Sequence, residues 1–207
     1  MNNLINITNK NACKQIYLND EHYGIDIFSG AGGLSLGAEM AGINIRYAIE
    51  VNENAAKTFR RNHKGVTVIC EDITKLEPNK FIDKNGVFII MGGPPCQGFS
   101  MSNTMNRNME NPKNFLFKEF VRFVREIKPM WFVFENVWGL TKMNKGETQK
   151  MIELCFEELG LQFPLKYYGH RIMGVPQNRN RFFLIGNKNG ISVWKDCHLF
   201  RPNLHGC

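Results

Sequence analysis

The chain has 207 residues, 43% of them hydrophobic, which suits one α/β domain with a buried core and is too short for two sizeable domains. Its 26 Lys and Arg exceed its 19 Asp and Glu, and the net charge of +7 fits a polyanionic partner such as nucleic acid or simply a basic protein. The apolar runs are too short to cross a membrane. The six cysteines form no C-x-x-C pair and follow no apolar leader, which predicts a reducing cytosol and no disulfide framework.

Residues 1–22 are polar and rich in Asn, and we predict a weakly ordered arm there. From residue 23 onward, apolar strands alternate with helices. Strands are predicted at 25–28, 45–50, 66–70, 87–91 and 131–134, helices at 34–41, from 52, at 115–127 and at 148–159, and further β-like runs at 163–172 and 181–185. This alternation predicts an α/β fold with a doubly wound, mostly parallel sheet, whose ligands bind outside the carboxyl ends of the strands.

Polar clusters follow the first three of these strands. The first is FSGAGG at residues 28–33, where glycines between a strand and a helix let the backbone approach a ligand closely. Its spacing departs from G-x-G-x-x-G, which disfavours NAD and leaves another nucleotide site or a tight turn open. Glu50 can accept both ribose hydroxyls of an adenosine ligand, and Asp72 can accept the adenine amino group while Ile73 packs on the ring. Each acid alone suits a solvated loop, but together they predict an adenosine site.

The fourth strand leads into GGPPCQGFS at residues 92–100, where two glycines and two prolines frame Cys96. A buried structural cysteine has no need of such a frame, whereas a nucleophile depends on fixed geometry and a lowered pKa. A cysteine protease would require a histidine base close by. His63 and His170 are the candidates, and neither lies in a supporting motif.

Two more clusters lie at strand ends further along the chain. Glu135 follows the fifth strand, where a carboxyl group near a thiol can hold a proton, although a strand-end acid can also cap a helix. Arg179 and Arg181, two residues apart at a strand start, point the same way and can present two guanidinium forks to an anion. An exposed basic turn is the alternative. The tail pairs Cys197-His198 and His205-x-Cys207 fit no common zinc spacing, so no metal site is predicted.

From about residue 23 to about residue 186, the sequence resembles the cytosine-5 DNA methyltransferases. The resemblance is carried, in chain order, by FSGAGG, Glu50, Asp72, GGPPCQGFS, FENV (134–137) and QNRNR (177–181). Residues 111–122 also resemble the family's helix after the catalytic loop. The usual Asp-x-Arg opening of that helix is replaced here by Asn111-Pro112-Lys113.

The resemblance implies a Rossmann-like methyltransferase fold and methyl transfer from S-adenosylmethionine to carbon 5 of a flipped-out cytosine in DNA. By resemblance, Cys96 adds to carbon 6 of the ring, Glu135 binds ring nitrogen 3, and Arg179 and Arg181 hold the base. The implied cofactor-binding residues are Phe28, Ser29, Gly30, Gly32, Gly33, Glu50, Asp72, Ile73 and Pro95. The implied substrate-binding residues are Gln97, Ser100, Asn136 and Gln177.

The family normally continues past Q-x-R-x-R into a target-recognition domain and a final helix. Here the chain ends at residue 207, after a stretch that resembles the approach to that domain. We therefore divide the sequence into an N-terminal arm (1–22), an S-adenosylmethionine-binding catalytic domain (23–190) and a tail (191–207), and expect the fold to be incomplete at its C-terminal side. The residues that would choose the DNA sequence are not recognisable in it.

Three explanations stay open at this point. The chain can be one subunit of a split enzyme whose second polypeptide recognises the DNA, or a truncated product that is inactive alone. It can also be a compact enzyme acting on RNA, which GFSMSN after the cysteine does not favour. From another functional class, a non-catalytic module that binds S-adenosylmethionine or DNA is the alternative. The expected setting is a restriction–modification system in the cytoplasm, associated with the nucleoid if the source is bacterial.

Overall fold

The computed structural model describes residues 3–9, 12–18, 21–95, 116–169 and 179–187. The strands in these ranges are β1 (Asn3–Asn9), β2 (Ala12–Leu18), β3 (Tyr23–Ile27), β4 (Ile45–Ile49), β5 (Thr67–Ile69), β6 (Val87–Gly92), β7 (Trp131–Val137), β8 (Gln162–Gly169) and β9 (Arg181–Asn187). The α-helices are α1 (Gly33–Met40), α2 (Glu53–Asn62), α3 (Leu116–Ile127), α4 (Gly139–Lys142) and α5 (Glu147–Glu157). No described helix has the length and apolar character needed to cross a bilayer.

Seven of these strands form one sheet in the order β5-β4-β3-β6-β7-β9-β8. The neighbours from β5 to β7 pair in parallel, and β9 pairs antiparallel with both β7 and β8. The chain moves outward from β3 to β5 and then returns to the other side of β3 with β6. This reversal places a crevice at the carboxyl ends of β3 and β6, where open α/β sheets bind ligands. The prediction of a doubly wound, mostly parallel sheet is confirmed.

One face of the sheet is covered by α3 and α5, and aromatic rings fill the space between them. Phe120 on α3 meets Phe134 on β7 edge to face at 5.3 Å, and Phe132 stacks on Phe156 of α5 with ring centroids 4.4 Å apart. All four side chains are fully buried. Because burying such a side chain contributes roughly 1.5–3 kcal/mol, this aromatic cluster anchors β7 and the residues at its end.

The predicted elements are all present, with shifted ends. The first strand stops at Ile27 because Phe28 takes a positive φ of 61° and begins the turn. The fifth predicted strand continues three residues further, to Val137, because these residues pair with β9, placing Glu135 opposite Phe183. Sequence periodicity does not reveal such pairing, since the two strands are far apart along the chain.

The N-terminal arm differs from the weakly ordered segment predicted from its composition. Within it, β1 and β2 pair antiparallel over seven residues each. In the register of this hairpin, Leu4 lies opposite Tyr17 and Ile5 opposite Ile16. The Asn-rich composition concealed these apolar positions.

Candidate active site

The turn after β3 is the glycine loop, residues 28–33. Gly30 and Gly32 adopt positive φ angles of 55° and 97°, which glycine tolerates without strain. A side chain at Gly32 would overlap the ring of His63, so the backbone lies directly against the end of α2. A Cβ at Gly30, in contrast, would meet nothing within 4 Å among the described atoms. The loop is therefore packed on its inner side and accessible at Gly30.

Glu50, directly after β4, faces this loop. Its Oε2 accepts the backbone N–H of Gly30 at 2.8 Å, and its Oε1 accepts the N–H of Asn52 at 2.7 Å. Carboxylate oxygens have two lone pairs each, so both can accept a further hydrogen bond. The structure thus brings the predicted ribose-binding acid to the predicted glycine loop.

Asp72 caps the short 3₁₀ turn that follows β5. Its Oδ1 accepts both the backbone N–H and the hydroxyl of Thr74, at 2.9 and 2.8 Å. These bonds lower the pKa of Asp72, so the carboxylate is ionised at neutral pH. The next residue, Ile73, is buried, and its carbonyl accepts a hydrogen bond from Arg122 of α3 at 2.9 Å. The turn that presents Asp72 is therefore tied to the core.

The residues after β6 are held against the end of β7. A Cβ at Gly93 would lie 2.5 Å from Oε2 of Glu135, so any larger residue would displace the carboxyl group of Glu135 from its observed position. The side-chain amide of Asn136, which is 2% exposed, donates to the carbonyl of Pro94 at 3.1 Å. Pro95 is half-buried and is the last described residue before the gap. The segment entering the Cys96 loop is thus clamped to β7 by two contacts.

Glu135 and Arg181 form an ion pair, with 2.7 Å between Oε1 of the carboxylate and Nε of the guanidinium. Their side chains are 27% and 21% exposed. Burial raises the pKa of Glu135 above its ordinary value, and the nearby charges of Arg181 and Arg179 partly oppose that rise. Arg179 itself is exposed and acts on Glu135 through its charge. The acid and the two arginines selected from sequence therefore belong to one site.

Four of the residues selected from sequence, Cys96, Gln97, Ser100 and Gln177, lie outside the described residues, as does the Cys- and His-containing tail. Within the described ranges, no group of three or more His, Cys, Asp or Glu side chains could hold a metal ion. His63, considered from sequence as a protease base, is buried and binds Glu39 of α1 through Nδ1 at 3.0 Å. In the structure it supports the glycine loop.

Sequence reasoning overlooked one residue of this region, Asp26 on β3. It is 1% exposed and accepts a hydrogen bond from the Ser35 hydroxyl at 2.6 Å. The available signal was an acid inside an otherwise apolar strand, since a buried carboxylate is costly unless it serves a purpose. Its position directly before the glycine loop could have added it to the site.

Fold and site together define an α/β domain that places the glycine loop, Glu50 and Asp72 at the same edge of the sheet as an acid–arginine pair. The sequence profile of the family described as C-5 cytosine-specific DNA methylase matches residues 23–201. The chain belongs to this family.

Curated relatives agree with this assignment. The type II methyltransferase M1.HphI of Haemophilus parahaemolyticus is 41% identical over 170 residues, covering 80% of this chain and 46% of that protein. M.DdeI of Desulfomicrobium norvegicum is 43% identical over 169 residues, covering 80% and 40%. The chain thus spans less than half the length of these two relatives. It spans 72% of M.AquIA of Picosynechococcus, to which it is 35% identical over 184 residues.

Solved structures show the same architecture. A protein from E. coli, described as a DNA modification methyltransferase encoded within a prophage, superimposes with a TM-score of 0.73 and 29% identity, over 88% of this chain and 51% of that one. DNMT2 of Spodoptera frugiperda gives a TM-score of 0.65 at 22% identity, over 81% of this chain and 50% of that one, which supports the fold alone.

Proposed function

We propose that this chain is the catalytic part of a DNA methyltransferase that transfers a methyl group from S-adenosylmethionine to carbon 5 of a flipped-out cytosine, through a covalent adduct with Cys96. The observation that carries the proposal is the 2.7 Å ion pair between Glu135 and Arg181 at the carboxyl edge of the sheet. It lies beside Gly93, which directly follows β6 and comes three residues before Cys96 in the sequence. In the sheet, β6 pairs with β3, the strand that leads into the glycine loop. The type II methyltransferase names of the relatives support a restriction–modification role in the cytoplasm.

The residues present fit S-adenosylmethionine, the cofactor that this family uses. Glu50 has acceptor capacity left for ribose hydroxyls, and Asp72 is ionised and able to accept from the adenine amino group. The backbone around Gly30 is accessible to the amino-acid end of the cofactor. Phe28, Ser29, Gly32, Gly33, Ile73 and Pro95 complete the proposed set. When bound, the cofactor supplies an electrophilic methyl group.

Cytosine carbon 5 is a poor nucleophile, and the protein residues raise its electron density. The Cys96 thiolate forms a bond to carbon 6, and the electrons of the 5,6 double bond move into the ring. Glu135 donates a proton or hydrogen bond at ring nitrogen 3 as this charge develops, and its raised pKa favours the proton-bearing form. After carbon 5 has accepted the methyl group, water takes the carbon 5 proton, the electrons of that C–H bond restore the 5,6 double bond, and the Cys96 thiolate leaves carbon 6.

Arg181 has two tasks in this scheme. Its Nε holds the Glu135 carboxyl group, and the remaining guanidinium donors can bind the ring carbonyl oxygen. Arg179 adds positive charge for the base and the DNA backbone. Asn136 is positioned by Pro94, and we include it with Gln97, Ser100 and Gln177 as substrate-binding residues. The cost of flipping the base, roughly a few kcal/mol, is met by such contacts.

We propose that recognition of a specific DNA sequence requires protein residues in addition to the matched region. More than half of M1.HphI and of M.DdeI lies outside the matched region. We propose that this part of the function resides in a further segment or a second polypeptide. The 72% coverage of M.AquIA supports the second arrangement, because a smaller share of that relative lies outside the match than of M1.HphI or M.DdeI.

The test is methyl transfer from labelled S-adenosylmethionine to mixed-sequence DNA, with Cys96→Ala as the control. Transfer that depends on Cys96 is expected, either by the chain alone or after addition of a polypeptide with a recognition domain. A covalent complex trapped on DNA containing 5-fluorocytosine, absent in Cys96→Ala, would identify the nucleophile. Cofactor binding without transfer under either condition would contradict the catalytic proposal and favour a binding module.

A further inference from the structure

Asp26 is a buried acid directly beneath the glycine loop, and the scheme above does not use it. Its Oδ2 accepts the Ser35 hydroxyl of α1 at 2.6 Å, which joins β3 to the first turn of that helix. Its Oδ1 is also buried and has no hydrogen-bond partner among the described residues. The same holds for the hydroxyl of Ser29 inside the loop. A carboxylate with one unsatisfied oxygen is unfavourable in a core, so its retention calls for a function.

The surroundings of Asp26 determine its charge. Its strand neighbours, Ala48 on β4 and Met91 on β6, are uncharged. Burial is the dominant effect and raises the pKa of Asp26 to about 7, with a smaller rise from Glu50 after β4. The hydrogen bonds from Ser35 and the charge of His63 at the end of α2 act in the opposite direction.

Glu50 and His63, which influence the pKa of Asp26, also contact the glycine loop that would hold the cofactor. Glu50 binds the N–H of Gly30, and His63 lies against Gly32 while it binds Glu39 of α1. Asp26 is thus part of the support of the loop rather than of a separate site. Because Asp26 is buried, a change in its charge is screened less by solvent than a change at the surface and acts more strongly on a ligand at the loop.

We propose that Asp26 is a specificity-determining residue, whose negative charge makes the glycine loop prefer the cationic cofactor S-adenosylmethionine over its uncharged-sulfur product S-adenosylhomocysteine. The inference rests on the proposed cofactor site. Ionised Asp26 attracts the sulfonium form, and binding of that form in turn favours loss of the Asp26 proton. The product lacks the sulfonium charge and gains nothing from the ionised acid. The affinity for S-adenosylmethionine relative to S-adenosylhomocysteine therefore rises as pH increases through neutrality. This preference assists release of S-adenosylhomocysteine, the product.

The experiment compares the dissociation constants of both ligands by calorimetry between pH 6 and pH 8.5. Their ratio is the readout, because the two ligands share the adenosine, ammonium and carboxylate groups. The difference between the wild-type profile and that of Asp26→Asn isolates the contribution of Asp26 from other titrations. In the wild-type chain, preference for S-adenosylmethionine is expected to rise about threefold to tenfold over this range. In Asp26→Asn, which keeps an acceptor for Ser35 but cannot ionise, the ratio is expected to stay constant.

Two further variants test the assignment. Asp83→Asn removes an acid from an exposed turn and is expected to keep the wild-type profile. Ser35→Ala removes the hydroxyl that stabilises ionised Asp26, so the midpoint of the profile should move to higher pH. This variant also serves if Asp26→Asn does not fold, which circular dichroism would reveal.

The outcomes separate the inference from the function on which it rests. A wild-type ratio independent of pH, a ratio that falls with pH, or an unchanged pH profile in Asp26→Asn would overturn the role of Asp26 alone. A Ser35→Ala midpoint that does not move would do the same. If neither ligand binds at any pH, the proposed cofactor site fails and the inference fails with it.

Discussion

The candidate active site has two halves that are built differently. In the cofactor half, comprising the glycine loop, Glu50 and Asp72, backbone N–H groups hold the acids, as Gly30 and Asn52 do for Glu50. In the base half, comprising Gly93, Glu135 and Arg181, side-chain contacts across β6, β7 and β9 define the geometry.

The electrostatics of the two halves differ in the same way. Hydrogen bonds from Thr74 lower the pKa of Asp72, whereas burial raises the pKa of Glu135. A group that only accepts hydrogen bonds from a bound ligand functions best when permanently ionised. A group that delivers a proton to a reacting ring functions best when its pKa lies nearer neutrality. The contrast shows how one sheet edge can combine binding and proton chemistry.

The largest expected effect comes from Glu135→Gln. Loss of the acid should reduce the rate of methyl transfer by about 100-fold to 10,000-fold, while the affinity for S-adenosylhomocysteine stays near wild type. Single-turnover kinetics and calorimetry measure the two quantities. Glu119→Gln is the matched control, because Glu119 of α3 also forms a 2.7 Å ion pair, with Arg122, at similar exposure but outside the half that contains Glu135. Equal losses in both variants would show that Glu135 only stabilises the fold.

Gly93→Ala should be next in size. Its Cβ would lie 2.5 Å from Oε2 of Glu135, so the acid must move. We expect about a 100-fold lower transfer rate, with a free energy of unfolding lower by less than about 1 kcal/mol because the end of the Glu135 side chain can move aside. Gly37→Ala on α1 has open space around its Cβ and should raise stability by about 0.5–1 kcal/mol. Urea denaturation and the transfer assay check both. Undiminished transfer by Gly93→Ala would refute the close contact.

Glu50→Gln tests the cofactor half. The amide group of Gln would place N–H donors against the N–H of Gly30 or Asn52, so one of these hydrogen bonds is lost. We expect cofactor affinity to fall about tenfold, which corresponds to a loss of roughly 1.4 kcal/mol of binding free energy. The rate of single-turnover transfer at saturating cofactor should change less. Glu53→Gln, on the exposed surface of α2, should leave affinity unchanged. A lower transfer rate with unchanged cofactor affinity would contradict the assignment of Glu50 to cofactor binding and of Glu135 to transfer.

Asn52→Ala gives the smallest effect. The side chain of Asn52 caps α2 by accepting the N–H of Ala55 at 3.0 Å, and its loss should reduce stability by about 1 kcal/mol. Cofactor affinity should persist, because it is the backbone N–H of Asn52 that binds Glu50. Thermal unfolding and calorimetry measure the two quantities. Asn54→Ala, in the first turn of α2 but without a capping bond, should change stability by less than about 0.5 kcal/mol.

Much of the cofactor half could be predicted from the sequence. Short apolar runs followed by Gly30, Glu50 and Asp72 identify the carboxyl ends of three parallel strands, because hydrophobic periodicity and turn residues are local properties. The strand that bears Glu135 was also predicted, although its last three residues were not. They extend the strand by pairing with β9, which begins 44 residues after β7 ends and leaves no local trace in the β7 sequence.

Pattern and composition therefore determined the fold class and the succession of strands along the chain, and the quoted motifs carried the resemblance to the family. Tertiary structure alone decided the 2.7 Å pairing of Glu135 with Arg181, the burial of Asp26 and the contact of His63 with the glycine loop. The physical reason is the separation along the sequence over which each effect acts. Periodicity and turn preference act over a few residues, whereas desolvation and ion pairing depend on which distant segments the folded sheet and its helices bring into contact.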